Sequence, residues 1–350
     1  MLQRRTARFL AVDGDLAPAD VVAQVPGAPS DHRVVLRAGI IGAGAAGHAH
    51  AHAVNALPAD LVRVVGVHDA DLERALALAG ATWAEPFRDL GELCAAVDLV
   101  VVCSPTEDHA AHVLRAAAAG CDVLVERPVV PRAQDLARLH AHVARAPRRI
   151  VAQAGHAALH DPLLRVLVRA LAPYQPATVE LRFETPRVPG APSVVEILHD
   201  ALTVLHPLTR SAPAQIHASA RRRRSGGGLE HVTALVTTDS GVLATLHVGH
   251  LCDRPTKLAR VVTDRVVVEA SGDTGEVVVH PRGDDGEVVV HPAGQEDALV
   301  AQARSFVSAV GSRAVPAVPL SAALPALELT EKVLRHVDLG ERLGSGRRAA

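Results

Sequence analysis

The chain has 350 residues, with 36 Lys and Arg against 38 Asp and Glu and a formal net charge of −2. That length accommodates two domains with a sizeable core, and the balanced charge argues against nucleic acid or an acidic membrane surface as partner. One Trp, one Tyr and four Phe leave few platforms on which a nucleobase or sugar ring could stack.

Residues 1–33 read as an N-terminal extension, because Asp13-Gly14, Pro18, Pro26-Gly27 and Pro29 are turn formers with room for one short strand between them. The apolar run from Phe9 to Val12, behind Arg4, Arg5 and Arg8, is too short for a secretory leader. No stretch approaches the roughly 18 apolar residues of a membrane span. Cys94, Cys103, Cys121 and Cys252 form no C-x-x-C pair, which points to reduced thiols and no zinc site. We therefore expect a soluble, cytoplasmic protein.

From Val34 the pattern alternates strand and helix. Strands are expected at 34–41, 61–68, 98–103 and 122–126, with helices at 44–57, 71–79, 90–95 and 109–119 between them. Such alternation gives a parallel sheet with helices on both faces. The first crossover contains Gly42-Ala43-Gly44-Ala45-Ala46-Gly47, a G-x-G-x-x-G run between a strand and an alanine-rich helix, and the next strand ends in Asp69. These are the parts of a dinucleotide-binding βαβ unit. Gly42 permits the tight turn, Gly44 lets the backbone approach a pyrophosphate, and Gly47 lets the helix close on the strand. The unpaired N–H groups of the helix start then face the anion. The Asp69 carboxylate suits the ribose hydroxyls of NAD and repels the 2′-phosphate of NADP, so NAD is the expected cofactor and NADP the lesser alternative.

The texture changes past residue 175. Strand-like runs at 178–183, 214–220, 232–238, 242–250, 260–269, 277–280 and 288–291 follow one another, which predicts a largely antiparallel, open second sheet. The fold class is therefore α/β: an N-terminal Rossmann domain with a parallel sheet at 34–155, and a C-terminal α+β substrate and dimerisation domain at 156–320. An open sheet is also a surface for self-association into a dimer or tetramer.

Between these regions, Val194 to Pro207 forms an amphipathic helix. At about 100° per residue, Glu196, His199, Asp200, Thr203 and His206 share one face, with Ile197, Leu198, Ala201, Val204 and Leu205 opposite. His48, His50 and His52 make an H-x-H-x-H run, but no further ligands accompany it and no metal is expected.

Two further segments carry a family resemblance. Val100-Val101-Val102-Cys103-Ser104-Pro105-Thr106-Glu107-Asp108-His109 resembles a strand ending C-[ST]-P-x-x-x-H. Ala119-Gly120-Cys121-Asp122-Val123-Leu124-Val125-Glu126-Arg127-Pro128 resembles A-G-x-x-V-x-x-E-K-P. With the glycine loop, His50, the helix around Phe306, Ala309 and Val310, and the run from Ala322 to Gly340, these resemble the Gfo/Idh/MocA family over roughly residues 34–340. The resemblance implies an NAD(P)-dependent oxidoreductase that passes hydride between nicotinamide and a polar alcohol or ketone such as a sugar or cyclitol, an imine being another option. It implies that Ser104, Pro105, Thr106 and His109 border the nicotinamide and that Glu126 holds the nicotinamide ribose. A final helix at 321–340 would pack back on the first domain.

Two positions depart from that pattern. Arg127 stands where the family has Lys, and a guanidinium is a poor proton carrier, though it can orient a substrate. Val195 stands where the family has an Asp, one turn before the matching His199. His199 is thus the expected acid/base, Arg127 an electrostatic orienter, and Asp200 or Glu196 the substitute carboxylate. Lost chemistry at both positions also fits a catalytically silent sensor of dinucleotide or ligand, and an NAD-dependent hydrolase or lyase using transient oxidation fits the same residues.

Overall fold

The computed structural model describes residues 8–9, 35–225, 227–283 and 286–346. Apart from β1 (Arg8–Phe9), the 1–33 extension lies outside them. The first layer runs β2 (Leu36–Ile41), α1 (Ala45–Asn55), β3 (Val62–His68), α2 (Leu72–Thr82), β4 (Glu85–Phe87), α3 (Leu90–Ala96), β5 (Leu99–Val102), α4 (Thr106–Ala118), β6 (Asp122–Glu126), α5 (Ala133–Val143) and β7 (Ala152–Gly155). Its six strands are ordered β4-β3-β2-β5-β6-β7 and every pairing is parallel. All four residues of β5 and the first four of β6 are buried, as expected of central strands covered on both faces. Strand order reverses between β2 and β5, so the crevice at their C-terminal ends is the switch point where ligands bind in such sheets.

The second layer follows through α6 (Pro162–Ala170), β8 (Pro176–Glu184), α7 (Val194–Thr209), β9 (Pro213–Arg222), β10 (Leu229–Thr238), β11 (Leu243–Gly249), β12 (Thr256–Thr263), β13 (Val266–Ser271), β14 (Glu276–Pro281) and β15 (Val289–Pro292). With β1 these form a nine-stranded sheet ordered β1-β15-β14-β13-β12-β8-β11-β10-β9, antiparallel except at β8–β11 and β1–β15. Val232, Ala234 and Val236 point into a core shared with Leu198, Leu202 and Leu205 of α7, whereas Thr233 and Leu235 between them are exposed. One face is thus covered and the other open. The apolar run expected as one strand at 260–269 is a hairpin, because the Thr263 hydroxyl accepts from the backbone N–H groups of Arg265 and Val266 and folds the chain there.

The chain returns to the first sheet twice. Within α8 (Ala298–Ser312), Ala303, Phe306, Val307 and Val310 join the core of β2, β3 and β5. The last helix, α9 (Leu324–Gly346), is longer than the expected 321–340 element and divides its apolar side chains. Leu327 packs with the first sheet, while Leu329, Val333 and Val337 pack with the second. Among the described residues no helix is long and apolar enough to cross a membrane.

Candidate active site

The glycine loop leaves β2 at the switch point. Gly42 has φ +97°, and a Cβ there would lie 2.5 Å from the Ser104 N on the neighbouring β5–α4 turn. A Cβ on Gly47 would run into the Gly42 carbonyl. At Gly44 the outcome is opposite, since an added Cβ would meet nothing within 4 Å. Gly44 is also the N-cap of α1, and no side chain caps the helix start, so the side-chain acceptor that usually meets its first N–H groups is missing. An uncapped helix start behind an unobstructed glycine fits a pyrophosphate.

Asp69 has a role beyond the one its position suggested. Its Oδ2 accepts from the Ala43 N at 2.6 Å and its Oδ1 from the Asp71 N at 2.8 Å. It therefore pins the glycine loop to the end of β3. Each oxygen keeps a further lone pair for a ribose hydroxyl.

On the other side of the crevice, Pro105 is the N-cap of α4 and Thr106 its first residue. The Ser104 Oγ pairs with the His112 Nδ1 at 2.8 Å. His109 does not face the crevice. It is buried, with Nδ1 2.9 Å from the Pro128 carbonyl and Nε2 2.7 Å from the Ser104 carbonyl, and so ties the turn after β5 to the turn after β6 from beneath.

Glu126 ends β6, Arg127 follows it, and the two form the centre of a charged chain. The His50 Nε2 donates to Glu126 Oε2 at 2.6 Å, and the Arg127 Nη1 donates to Glu126 Oε1 at 2.7 Å. Burial works to raise the Glu126 carboxyl, but His50 and the Arg127 guanidinium together outweigh it and hold the group at about 2. The Arg127 Nη2 donates to Asp200 Oδ2 at 2.6 Å and its Nε to Asp200 Oδ1, a two-pronged pair with α7. Burial favours a neutral guanidinium, yet the two carboxylates keep its proton still more firmly than usual.

The α7 face divides. The Glu196 carboxylate is spent on a capping box with Ser193, and His206 is exposed in the last turn. His199 and Thr203 are buried, so the polar face between them is covered by protein and not solvated. The Thr330 hydroxyl of α9 donates to the Ala326 carbonyl at 2.7 Å, so it accepts from the His199 Nδ1 at 3.1 Å. His199 is accordingly the Nδ1–H tautomer, and its Nε2 lone pair has no partner. Burial first, and then the Arg127 charge, lower its proton affinity to about 4, against a smaller pull from Glu126.

Sequence reasoning did not single out His156, which directly follows β7 on the edge of the sheet where Glu126 ends β6. Its ring stacks on His199 with centroids 5.2 Å apart and planes 24° from parallel. Asp200, with Phe183, Thr185 and Lys257, lines a cavity of about 720 Å³ that neither stacked histidine borders. Lys257 is paired with Asp161 and sits 5.6 Å over the Phe183 ring. Among the described residues, no group of three or more His, Cys, Asp or Glu is placed to hold a metal ion.

Residues 36–154 match the profile of the GFO_IDH_MocA oxidoreductase family, described by its NAD-binding Rossmann fold. That match covers the first sheet and its helices, and it is to the Gfo/Idh/MocA family that this part of the chain is similar. Inositol 2-dehydrogenase 1 of Saccharopolyspora erythraea is 36% identical over 144 residues, which is 39% of this chain and 42% of that protein. The chain spans about half the length of the inositol dehydrogenases it matches. Among solved structures, UDP-N-acetylglucosamine 3-dehydrogenase from Acidithiobacillus ferrooxidans superposes with a TM-score of 0.79 at 22% identity, covering 87% of this chain and 99% of that one. An oxidoreductase from Agrobacterium radiobacter, solved with NAD+, L-tartaric acid and magnesium, gives 0.76 at 15% identity, covering 87% and 97%. These likenesses show that the fold is shared through the second sheet.

Proposed function

We propose that the protein is an NAD-dependent dehydrogenase or reductase of a polyhydroxylated sugar, cyclitol or related ketone, and that NAD is preferred over NADP because Asp69 would face the adenosine ribose. The observation that carries the reading is the unpartnered Nε2 of His199, held in its tautomer by Thr330 and set beside the Arg127 cluster. The loop Gly42 to Gly47 holds the pyrophosphate on the start of α1. Ser104, Pro105 and Thr106 border the nicotinamide end, and Glu126, oriented by His50, receives the nicotinamide ribose. When bound, the nicotinamide supplies the hydride acceptor or donor. For oxidation, His199 Nε2 takes the substrate hydroxyl proton, and Arg127, held in place by Asp200, favours the developing negative oxygen. Asp200 links this cluster to the cavity it lines, which takes the part of the substrate away from the reacting carbon.

The second reading, a silent sensor, draws support from Arg127 itself, because its Nε, Nη1 and Nη2 are all engaged by Glu126 and Asp200. Mixing the protein with NAD and a panel of polyols, and following reduced-nicotinamide absorbance, separates the two. Turnover supports the dehydrogenase, whereas NAD binding without turnover of any polyol favours a sensor, or a hydrolase or lyase that recycles its cofactor. The free thiols, three of them buried, support a reducing compartment such as the cytoplasm for this reading. Self-association, in this reading, uses the open face of the nine-stranded sheet, where Leu235 and Leu243 are exposed.

A further inference from the structure

Only one of the two stacked histidines has work in that reaction. His156 has a relative exposure of 0%, as has His199, and its hydrogen bonding is equally restricted. The Thr203 hydroxyl donates to the His199 carbonyl at 2.8 Å, so towards His156 it can only accept. It lies 3.3 Å from the His156 Nδ1, which must carry the proton. The His156 Nε2 is therefore a lone pair, buried and without a partner, as is the Nε2 of His199. A buried acceptor left unpaired costs about 1–3 kcal/mol. Two of them in stacked rings, beside the Glu126–Arg127–Asp200 cluster at the sheet edge where ligands bind, are acceptors that a ligand satisfies.

The two rings are not equivalent. Burial, and then the charge that His199 acquires on protonation, hold His156 at about 3, with Asp200 and Glu126 opposing and Arg127 assisting. In the dehydrogenase reading the substrate proton goes to His199, and the charge it then carries disfavours a second proton on the stacked His156 ring. We propose that His156 is a substrate-binding residue whose Nε2 accepts a hydrogen bond from a second hydroxyl of the substrate, adjacent to the hydroxyl that His199 deprotonates. This rests on the dehydrogenase reading and narrows it. The site takes a polyol with a second donor close to the reacting carbon and discriminates against a simple alcohol, because an analogue lacking that donor leaves a buried lone pair empty.

Calorimetric titration of the NADH-loaded protein with myo-inositol, scyllo-inositol, glucose and glucosamine identifies the polyol that binds best, and its monodeoxy analogues are then titrated in turn. Against the parent protein, one analogue altered away from the reacting carbon should bind about 10- to 100-fold more weakly than the full polyol, the equivalent of one lost hydrogen bond to a buried group. His156→Phe retains a ring to stack on His199 but has no lone pair, and it should bind that analogue and the full polyol equally. Thr203→Val releases the tautomer and should lose part of the discrimination, which keeps the test open if His156→Phe does not fold by circular dichroism. Undiminished discrimination in the folded variants overturns the role of His156 and leaves the dehydrogenase reading standing. Failure of every polyol to bind overturns both.

Discussion

The Arg127 guanidinium grips the Asp200 carboxylate with Nε and Nη2, the latter at 2.6 Å, and thereby ties the end of β6 to α7 across 73 residues of sequence. Both side chains are about one-fifth exposed, so the pair is shielded without being sealed off. Asp200→Asn removes the charge and one of the two acceptors, leaving Arg127 free to swing wholly onto Glu126. We expect unfolding free energy to fall by about 1–3 kcal/mol and turnover to fall with it. Arg127→Lys, which installs the residue of the E-K-P pattern that this segment resembles, should also lower turnover, by about 10-fold, because one ammonium cannot reproduce a fork between two carboxylates. A rise in kcat for this variant would show that proton donation at this position limits the parent.

The loop glycines should fail in different ways. Gly44→Val places its Cβ where nothing lies within 4 Å, so the fold should persist while NAD binding is lost. Gly42→Ala meets the Ser104 backbone in a left-handed conformation, so it should destabilise the whole domain. Circular dichroism melts with calorimetric NAD titrations separate the two, and a folded Gly44→Val protein that binds NAD normally would count against the cradle.

What the sequence made legible follows from local pattern. The glycine loop, Asp69 and the strand–helix alternation are short-range signals, and the second sheet announces itself by alternation such as that at Val232, Ala234 and Val236. Long-range pairing was hidden. Nothing near Arg127 marks Asp200 as its partner, and the helical wheel of α7 could not show that Ser193 would claim Glu196. His156 follows Ala-Gln-Ala-Gly, a strand without a β-branched residue, and so carried no signal of either strand or site. His109 was legible as a motif position but not in its role, because only the fold brings the Pro128 and Ser104 carbonyls to its ring.

Asp69→Ala should narrow the gap between NAD and NADP by removing the repulsion of the 2′-phosphate. It should also weaken NAD itself, because the Ala43 N–H loses the acceptor that pins the glycine loop. Asp69→Asn can retain an acceptor for that N–H while removing the charge, so it should recover part of the NAD affinity. Paired NAD and NADP titrations of the three proteins decide this, and a parent protein with equal affinities would contradict the assignment.

The two stacked histidines contribute to the dependence of stability on pH. Both are held neutral in the fold, His199 down to about 4 and His156 down to about 3, against an ordinary value of 6.5. Below pH 6.5 the unfolded chain therefore binds protons that the folded chain refuses, and stability falls as pH falls towards 4. Glu126 does not interfere in the upper part of this window, since its contribution is lost only below its ordinary value of 4.5. Each histidine adds at most about 1.4 kcal/mol per pH unit to the slope. His160, lowered to about 4 by burial and Arg165, and His112, His231 and His291, also lowered by burial, add to the same fall, so the pair is isolated by comparison between variants. His156→Phe should flatten the dependence of urea-unfolding free energy on pH between 6.5 and 5 by about one histidine's share, and His199→Phe by another. His199→Phe should also cost about 10²- to 10⁴-fold in turnover with cofactor affinity little changed, whereas His156→Phe should act mainly on substrate affinity. Identical slopes for the parent and both variants would mean that these imidazoles protonate freely in the fold, and the buried neutral pair would have to be abandoned.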